Sequence, residues 1–139
     1  MTRPAPQPDP TSPGDVGRRI LVVLPLPPRQ LQPNARPHWT AKAGAVKRYR
    51  QIAWLSALAV RPRQAMLTAR VTAKFYFADR RQRDPDNLLA SLKAGFDGLV
   101  DGGVIGDDRD FIHMPIEQYV DRARPRVEIE VEEAMEAPR

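Results

Sequence analysis

The chain has 139 residues, a length that suits one domain with one hydrophobic core and is short for two. It contains no cysteine, which excludes disulfides, zinc–thiolate sites and thiol catalysis. The net charge is +5, but residues 1–126 carry 21 Lys and Arg against 12 Asp and Glu, because five glutamates fall in residues 127–139. Such a basic surface suits a polyanion such as nucleic acid, and it can equally serve solubility alone.

Both ends of the chain are predicted to be tails. Residues 1–17 are rich in proline and poor in large apolar side chains, so we expect them to be disordered. A polar tail is predicted over residues 133–139, with one domain over residues 18–132 between the two. The longest apolar run has five residues, 20–24, and proline follows it. The sequence therefore predicts no membrane segment and a cytoplasmic location.

The hydrophobic pattern predicts four strands and two main helices. In chain order these are a strand over residues 20–24, an irregular loop over 30–39, a helix from 40 to about 60, a strand over 69–78, a helix over 86–101, and strands over 116–120 and 126–131. Residues 104 and 105 are predicted to form only a very short strand. The order β-α-β-α-β-β predicts a single small α+β domain in which helices cover a mixed sheet.

The first predicted helix is amphipathic. Its apolar residues recur every three or four positions, at Val46, Tyr49, Ile52, Leu55 and Leu58. Its basic residues mostly fall outside that stripe, at Lys42, Lys47, Arg48 and Arg50. We therefore expect the helix to bury the apolar stripe and to expose a basic side.

Residues 79–110 hold eight aspartates, with three arginines just before the first close pair. This mixture differs from a solvated helix face, where the two signs alternate. Carboxylates that bind Mg²⁺ or Mn²⁺ beside arginines are suited to phosphoryl chemistry. An EF-hand is excluded because DPDNLL lacks the required glycine and the later glutamate. The two histidines, His38 and His113, are expected to be structural or to face DNA.

Asp84 and Asp86 are the first close pair of acids. Asp84 precedes Pro85, which disfavours the helical region, so Asp84 is predicted to be extended. Asp86 would then lie roughly 6 to 7 Å away between Cα atoms, so that both carboxylates could reach one divalent ion. Asp86 also stands where a helix N-cap belongs, and capping alone would explain an aspartate there. The sequence leaves both interpretations open.

The second predicted helix adds a lysine and further acids. On an unbroken helix, Asp86, Lys93 and Asp97 fall within roughly 60° of one another. Lys93 and Asp97 taken alone could equally form a common surface ion pair worth about 0.3 to 0.5 kcal/mol. Asp107 and Asp108 follow the glycines that end the helix, and one of them could complete an all-oxygen metal site.

At these residues the chain resembles the RusA family of Holliday junction resolvases. The signature matches at Arg83-Asp84-Pro85-Asp86-Asn87, Lys93, Phe96-Asp97-Gly98-Leu99, Gly102-Gly103 and Asp107-Asp108. The upstream element is similar at Leu24-Pro25-Leu26-Pro27-Pro28, Asn34, Arg36 and Tyr49-Arg50. The likeness covers about residues 20–131.

The resemblance implies a homodimeric α+β endodeoxyribonuclease that cuts branched DNA such as a four-way junction. It implies Mg²⁺ or Mn²⁺ as the cofactor, and no organic cofactor or membrane partner is expected. Asp84, Asp86 and Asp108 match the catalytic carboxylates, Asp107 is the neighbouring candidate metal ligand, and Lys93 matches the essential lysine. The family pattern places this lysine four residues after the second aspartate, whereas Lys93 comes seven residues after Asp86.

A wider set of residues is assigned to DNA binding and to support of the site. The residues expected to contact DNA are Asn34, Arg36, Lys42, Lys47, Arg50, Arg80, Arg81 and Arg83. Asn87 and Asp97 are expected to support the acids. The sequence also allows two alternatives: a protein that binds branched DNA without cutting it, and a D-x-D site for nucleotide-sugar transfer, for which the chain is short.

Overall fold

In the computed structural model, which describes residues 18–134, three helices cover one face of a five-stranded sheet. The strands are β1 (Arg19–Leu24), β2 (Ala69–Phe77), β3 (Phe111–His113), β4 (Glu117–Val120) and β5 (Arg126–Glu133). The helices are α1 (Trp39–Val60), α2 (Pro85–Ser91) and α3 (Lys93–Asp101), with single 3₁₀ turns at Arg29–Leu31 and Asp108–Asp110. The predicted α+β class is confirmed. The tail predicted over residues 1–17 lies outside the described residues.

The sheet is mixed, as predicted. Its order is β1-β5-β2-β3, and β4 pairs with the same edge of β2 as β3 does. The pairs β1–β5 and β5–β2 are antiparallel, whereas β3 and β4 run parallel to β2. The parallel pairing requires a crossover, which α2 and α3 supply. This crossover carries the aspartates and Lys93.

Every second residue of the central strands is buried on the face that the helices cover. In β2 the buried residues are Ala69, Val71, Ala73, Phe75 and Phe77, and in β5 they are Val127, Ile129 and Val131. The opposite face carries ion pairs between neighbouring strands, such as Lys74 with Glu130 and Arg70 with Glu132. One face therefore holds the core and the other faces solvent, as the two-residue period requires.

The prediction for the apolar stripe of α1 was wrong at three of its five positions. Ile52, Leu55 and Leu58 are exposed. The buried residues of α1 are Tyr49, which belongs to the predicted stripe, and three alanines outside it, Ala45, Ala53 and Ala57. Small side chains face inward because α3 approaches closely through two glycines, which is described next.

α1 and α3 are in contact at Gly98 and Gly102. A Cβ atom added at Gly98 would lie 2.4 Å from the carbonyl oxygen of Arg50 and 2.6 Å from Cβ of Ala53. One added at Gly102 would lie 2.5 Å from Cβ of Ala57. Only glycine on one helix and alanine on the other permit this approach, and larger apolar side chains of α1 are left outside.

The single helix predicted over residues 86–101 is two helices. Leu92 lies between them with φ −91° and ψ 0°, and its N–H donates to the carbonyl of Leu89 rather than that of Leu88. The buried hydroxyl of Ser91 donates to the Leu88 carbonyl at 2.7 Å. Ser91 thus donates to the acceptor that Leu92 would use in an α-helix, and a side-chain bond of this kind destabilises the helix at that turn.

Three smaller differences concern strand limits. β3 was not predicted, and residues 104–105 form no strand, because Ile105 makes only an isolated bridge with Met66. β5 extends to Glu133, one residue beyond the predicted domain limit.

Within residues 18–134, no helix has the length and apolar character to cross a bilayer.

Candidate functional site

The segment leading to Asp84 is held against the edge of the sheet. The side-chain amide of Gln118 in β4 accepts from the N–H of Arg83 at 3.1 Å and donates to its carbonyl at 2.9 Å. The guanidinium of Arg83 lies 3.8 Å from the ring centroid of Phe77 and bonds Asp79 at 2.9 Å. These contacts fix the residue directly before the first acid of the site.

Asp84 is the N-cap of α2. Its backbone is extended, as predicted, with φ −64° and ψ 120°, and its carboxylate accepts from the N–H of Asp86 at 2.8 Å. The prediction of Asp86 as the N-cap was wrong. Pro85 occupies the first helical position, which its fixed φ favours, so the cap falls one residue earlier and Asp86 lies in the first turn.

Lys93 contacts two of the predicted acids. Its Nζ lies 3.6 Å from Oδ2 of Asp108 and 3.8 Å from Oδ1 of Asp97. The lysine side chain is 73% exposed, whereas Asp97 and Asp108 are more covered at 27% and 44%. The ammonium group therefore stands at the rim of the site with one acid on each side. We call Lys93, Asp97 and Asp108 the lysine cluster.

Two cavities meet at the lysine cluster. One of about 260 Å³ lies on the side of β3 and is lined by Leu89, Ala90, Lys93, Phe96, Asp108, Phe111 and His113. One of about 360 Å³ lies on the side of α1, and its wall includes Lys42, Ala90, Lys93 and Asp97. Lys93 and Ala90 belong to both, so the ammonium is accessible from two directions.

Asp107 and Asp108 differ in their surroundings. Asp107 caps the 3₁₀ turn, accepts from the N–H of Arg109 at 2.9 Å and pairs with its guanidinium at 3.1 Å. These hydrogen bonds from Arg109 lower the pKa of Asp107. Asp108 faces Lys93 instead. Of the two adjacent acids, Asp108 is thus the one that joins the lysine cluster.

The acids do not form one three-ligand group. Among residues 18–134, no set of three or more His, Asp or Glu side chains is grouped closely enough to hold a metal ion. Asp84 and Asp86 lie at the start of α2, whereas Asp108 lies in the 3₁₀ turn after α3 and contacts Lys93. The oxygen donors suit Mg²⁺ or Mn²⁺ in their chemistry, but this arrangement does not bring the predicted ligands together.

The residues predicted to contact DNA fall into two groups. Asn34, Arg36, Lys42, Lys47, Arg80 and Arg81 are exposed. Two arginines are bound within the protein: Arg83 as described above, and Arg50, which donates to both carboxylate oxygens of Asp101 at 2.6 and 2.9 Å. Arg83 has a side-chain exposure of only 21%, so its contacts hold the loop together.

Sequence reasoning missed Gln118 and the role of His113 in the site. Gln118 binds main-chain atoms, so no side-chain pattern marks it. His113 lines the smaller cavity and packs edge-on against Phe96 at 5.0 Å between ring centroids. Loss of hydration at this position lowers the pKa of His113, and the carboxylate of Asp108 opposes the shift. His113 is therefore a neutral, aromatic wall of the cavity at pH 7.

Comparison with known proteins identifies the segment that carries these features. A family model described as Endodeoxyribonuclease RusA matches residues 27–132, which include α1, the acids and the lysine cluster. An uncharacterized protein from Xylella fastidiosa (strain Temecula1 / ATCC 700964) is 38% identical over 101 residues. That match covers 68% of this chain and 64% of the Xylella protein, so it spans slightly less than two thirds of that relative.

Proposed function

The chain belongs to the RusA endodeoxyribonuclease family, and we propose that it is a metal-dependent endonuclease that cleaves phosphodiester bonds in branched DNA. Four-way junctions formed in recombination and repair are the proposed substrate. The observation that carries the proposal is the lysine cluster, in which Lys93 faces Asp108 between two open cavities within the matched segment. DNA as the substrate accords with a cytoplasmic location, which we also propose.

Asp84, Asp86 and Asp108 are the proposed ligands of Mg²⁺ or Mn²⁺, with Asp107 as a neighbouring acid. When bound, the ion would supply Lewis-acid activation of water and stabilise the charge on the phosphate. Within residues 18–134 no three His, Asp or Glu side chains are grouped closely enough to hold an ion, so metal binding would have to bring the proposed ligands together. The proposal therefore includes a shift of these acids on metal binding.

Lys93 is proposed to stabilise negative charge that develops on the scissile phosphate or on the leaving oxygen. Its ammonium is held by acids on both sides and is still largely exposed, so it can exchange one carboxylate contact for a phosphate contact. Asp97 would keep Lys93 oriented during this exchange. Gln118 and Arg83 would fix the approach of Asp84.

The exposed basic residues support binding of the phosphate backbone. Lys42 and Lys93 line the same cavity, and Lys47 continues the basic side along α1. Contacts to phosphates position a protein on DNA without reading its sequence. A homodimer is the proposed assembly, because two copies related by a two-fold axis would present two sites to a two-fold junction.

The test is cleavage of a labelled synthetic four-way junction beside a matched linear duplex, with Mg²⁺, Mn²⁺ or EDTA. The proposal expects paired, symmetric nicks on the junction that require the metal. Asp86→Asn should reduce the cleavage rate by more than about 100-fold while junction binding in EDTA is retained. Asp110→Asn removes an equal charge from the 3₁₀ turn that contains Asp108 and serves as the matched control, with near wild-type cleavage expected.

The outcomes separate the alternatives. Unimpaired cleavage by Asp86→Asn would refute the assignment of the site. Junction binding without any product in either metal would favour the second candidate, a branched-DNA-binding protein without turnover, which the separated acids support. Equal cleavage of both substrates would support the proposed nuclease activity and refute the proposed selectivity for branched DNA.

A further inference from the structure

A third cavity lies between α1 and the end of α3, and no residue of the lysine cluster lines it. Its volume is about 340 Å³, and it is lined by Lys47, Arg50, Gln51, Trp54 and Asp101. We propose that this cavity binds an unpaired nucleobase of branched DNA, which stacks on the indole of Trp54 while Lys47 contacts a flanking phosphate. The inference rests on the proposed DNA substrate and adds a base-binding site to it.

The helix contact fixes the position of Trp54. A Cβ atom added at Gly98 would lie 2.9 Å from the main-chain nitrogen of Trp54, so this residue stands where the two helices approach most closely. Its backbone therefore has little freedom relative to α3. The side chain nevertheless stays 37% exposed. A partly exposed indole on a fixed stretch of backbone offers a stacking surface.

The charges around the indole suit a nucleotide. The charge of Arg50 is balanced by Asp101, to which it donates two hydrogen bonds, and both residues line the cavity. Lys47 is exposed and also lines the cavity. The sequence of α1 contains no aspartate or glutamate, so no acid of this helix repels a phosphate there. An aromatic ring beside a cation is the arrangement that binds single-stranded nucleic acid.

The cavity adjoins the proposed cleavage site through Arg50. Arg50 also lines a smaller cavity of about 200 Å³ with Asp97, Val100, Gly106, Asp107 and Asp108. A strand that passes along both cavities would place a base at Trp54 and its phosphate backbone near Asp108. The base contact at Trp54 and the phosphate contact near Asp108 would thus lie in neighbouring cavities that share Arg50.

Stacking at Trp54 would select structure rather than sequence. Bases at a branch point can leave the stack, whereas bases within a linear duplex cannot do so without a cost of a few kcal/mol. Every base has a π-face, so the contact tolerates any sequence. We therefore expect Trp54 to contribute to binding of branched and single-stranded DNA and to contribute little to binding of linear duplex.

The experiment compares Trp54→Ala with Leu55→Ala. Leu55 is 54% exposed on the same helix and does not line the cavity, so its replacement is a matched control. Dissociation constants are measured in EDTA for a four-way junction, a 15-nucleotide oligo(dT) and a linear duplex. Trp54→Ala should weaken binding of the first two by about 5- to 150-fold, which corresponds to one stacked base, and should change duplex binding by less than about 2-fold.

Two further measurements test stacking itself. Trp54→Phe should restore most of the lost affinity, because a smaller aromatic ring still stacks. In a Trp39→Phe protein, Trp54 is the remaining tryptophan of the two in the chain, and its fluorescence should be quenched when oligo(dT) is added. Thermal unfolding of each variant shows whether the fold is retained.

Several results would overturn the inference. They are equal junction affinities for Trp54→Ala and Leu55→Ala, an unquenched Trp54, or a change in oligomeric mass in Trp54→Ala, which would make the cavity a contact between copies. The wild-type cleavage assay separates this inference from the proposed function. If the wild type cleaves junctions and Trp54→Ala has no effect, only the proposed base site is refuted. If oligo(dT) binds and quenches Trp54 but no junction is cleaved, the base site is supported and the proposed nuclease activity is refuted.

Discussion

Gln118 makes two hydrogen bonds to the main chain of a single residue, Arg83, and so imitates a strand partner at the edge of the sheet. The side-chain amide offers both N–H donors and an acceptor oxygen, so it can pair with the N–H and with the carbonyl of one extended residue. Because Asp84 follows directly, this pairing determines where the first acid lies. Gln118 is therefore a positioning residue, which acts on the proposed chemistry through Asp84.

We expect Gln118→Ala to lower the cleavage rate by about 10-fold or more, because a small displacement of a reacting group costs that much. The free energy of unfolding should fall by only about 1 to 2 kcal/mol for the two lost hydrogen bonds. Cleavage at saturating enzyme and thermal unfolding give the two values. Tyr119→Phe alters the next residue of β4, whose hydroxyl contacts Glu117, and should leave cleavage unchanged.

A Gln118→Ala protein that cleaves at the wild-type rate would exclude this role. At this scale the sequence predicted the extended Asp84, and the ion pair of Lys93 with Asp97 was one of the interpretations it left open. It placed the N-cap wrongly at Asp86, although Pro85 as the first helical residue favours a cap at Asp84. It could not predict Gln118, because a main-chain partner leaves no trace in the sequence.

At the scale of elements, the packing of α1 on α3 depends on two glycines. Gly98→Ala would bring a methyl group against the Arg50 carbonyl and the Ala53 side chain, neither of which can move without shifting a helix. We expect a loss of about 1 to 3 kcal/mol in the free energy of unfolding, as for other overpacked cores. Urea denaturation is the measurement.

Gly44→Ala is the control for the helix propensity of alanine. A Cβ atom there would meet only the flexible end of Arg48, at 3.1 Å, so the substitution should stabilise α1 by about 0.5 to 1 kcal/mol. If Gly98→Ala lowers the free energy of unfolding and Gly44→Ala raises it, the close helix packing at Gly98 is the cause of the loss. Equal effects on unfolding would contradict the close contact.

The same contact explains why the sequence predicted the existence of α1 but not its buried face. Periodicity ranks large apolar residues above alanine, and so it selected Ile52, Leu55 and Leu58. The inward face depends instead on how near α3 comes, which is a property of the pair of helices. Ser91 similarly destabilises the second helix through one hydrogen bond that helix periodicity does not register.

At the scale of the whole molecule, the two ends of the described chain are joined. Arg18 donates to both carboxylate oxygens of Glu133, at 3.1 and 2.6 Å, and its carbonyl accepts from the N–H of Glu133 at 2.7 Å. The hydrogen bond from Arg18 lowers the pKa of Glu133. The lowered pKa means that this pair stabilises the fold above about pH 4.5, the ordinary value, and that the contribution disappears as the pH falls through the lower folded value.

Glu133→Gln should therefore be less stable than the wild type at pH 7, by about 1 kcal/mol or less, and the difference should shrink toward pH 3. Thermal unfolding at both pH values checks this. Arg18→Ala should produce a similar loss, and the double variant should lose no more than the larger single loss. A difference between Glu133→Gln and wild type that is constant with pH would argue against the ion pair.

The fold class and the main elements of the molecule were predicted better than its details. A mixed sheet with two main helical segments follows from the order of the hydrophobic segments. The division of the returning edge into β3 and β4 does not, because β3 has three residues and too short a pattern to detect. The grouping of the acids likewise depends on the fold. The sequence places Asp84, Asp86 and Asp108 in one motif, but within residues 18–134 no three acids are grouped closely enough to hold an ion.

The position of the lysine differs between the family pattern and this chain. The family pattern has its lysine four residues after the second aspartate, which is Ala90 in this chain, and Lys93 comes one turn later. Ala90 and Lys93 line the same two cavities, so an ammonium group at either position reaches the same space.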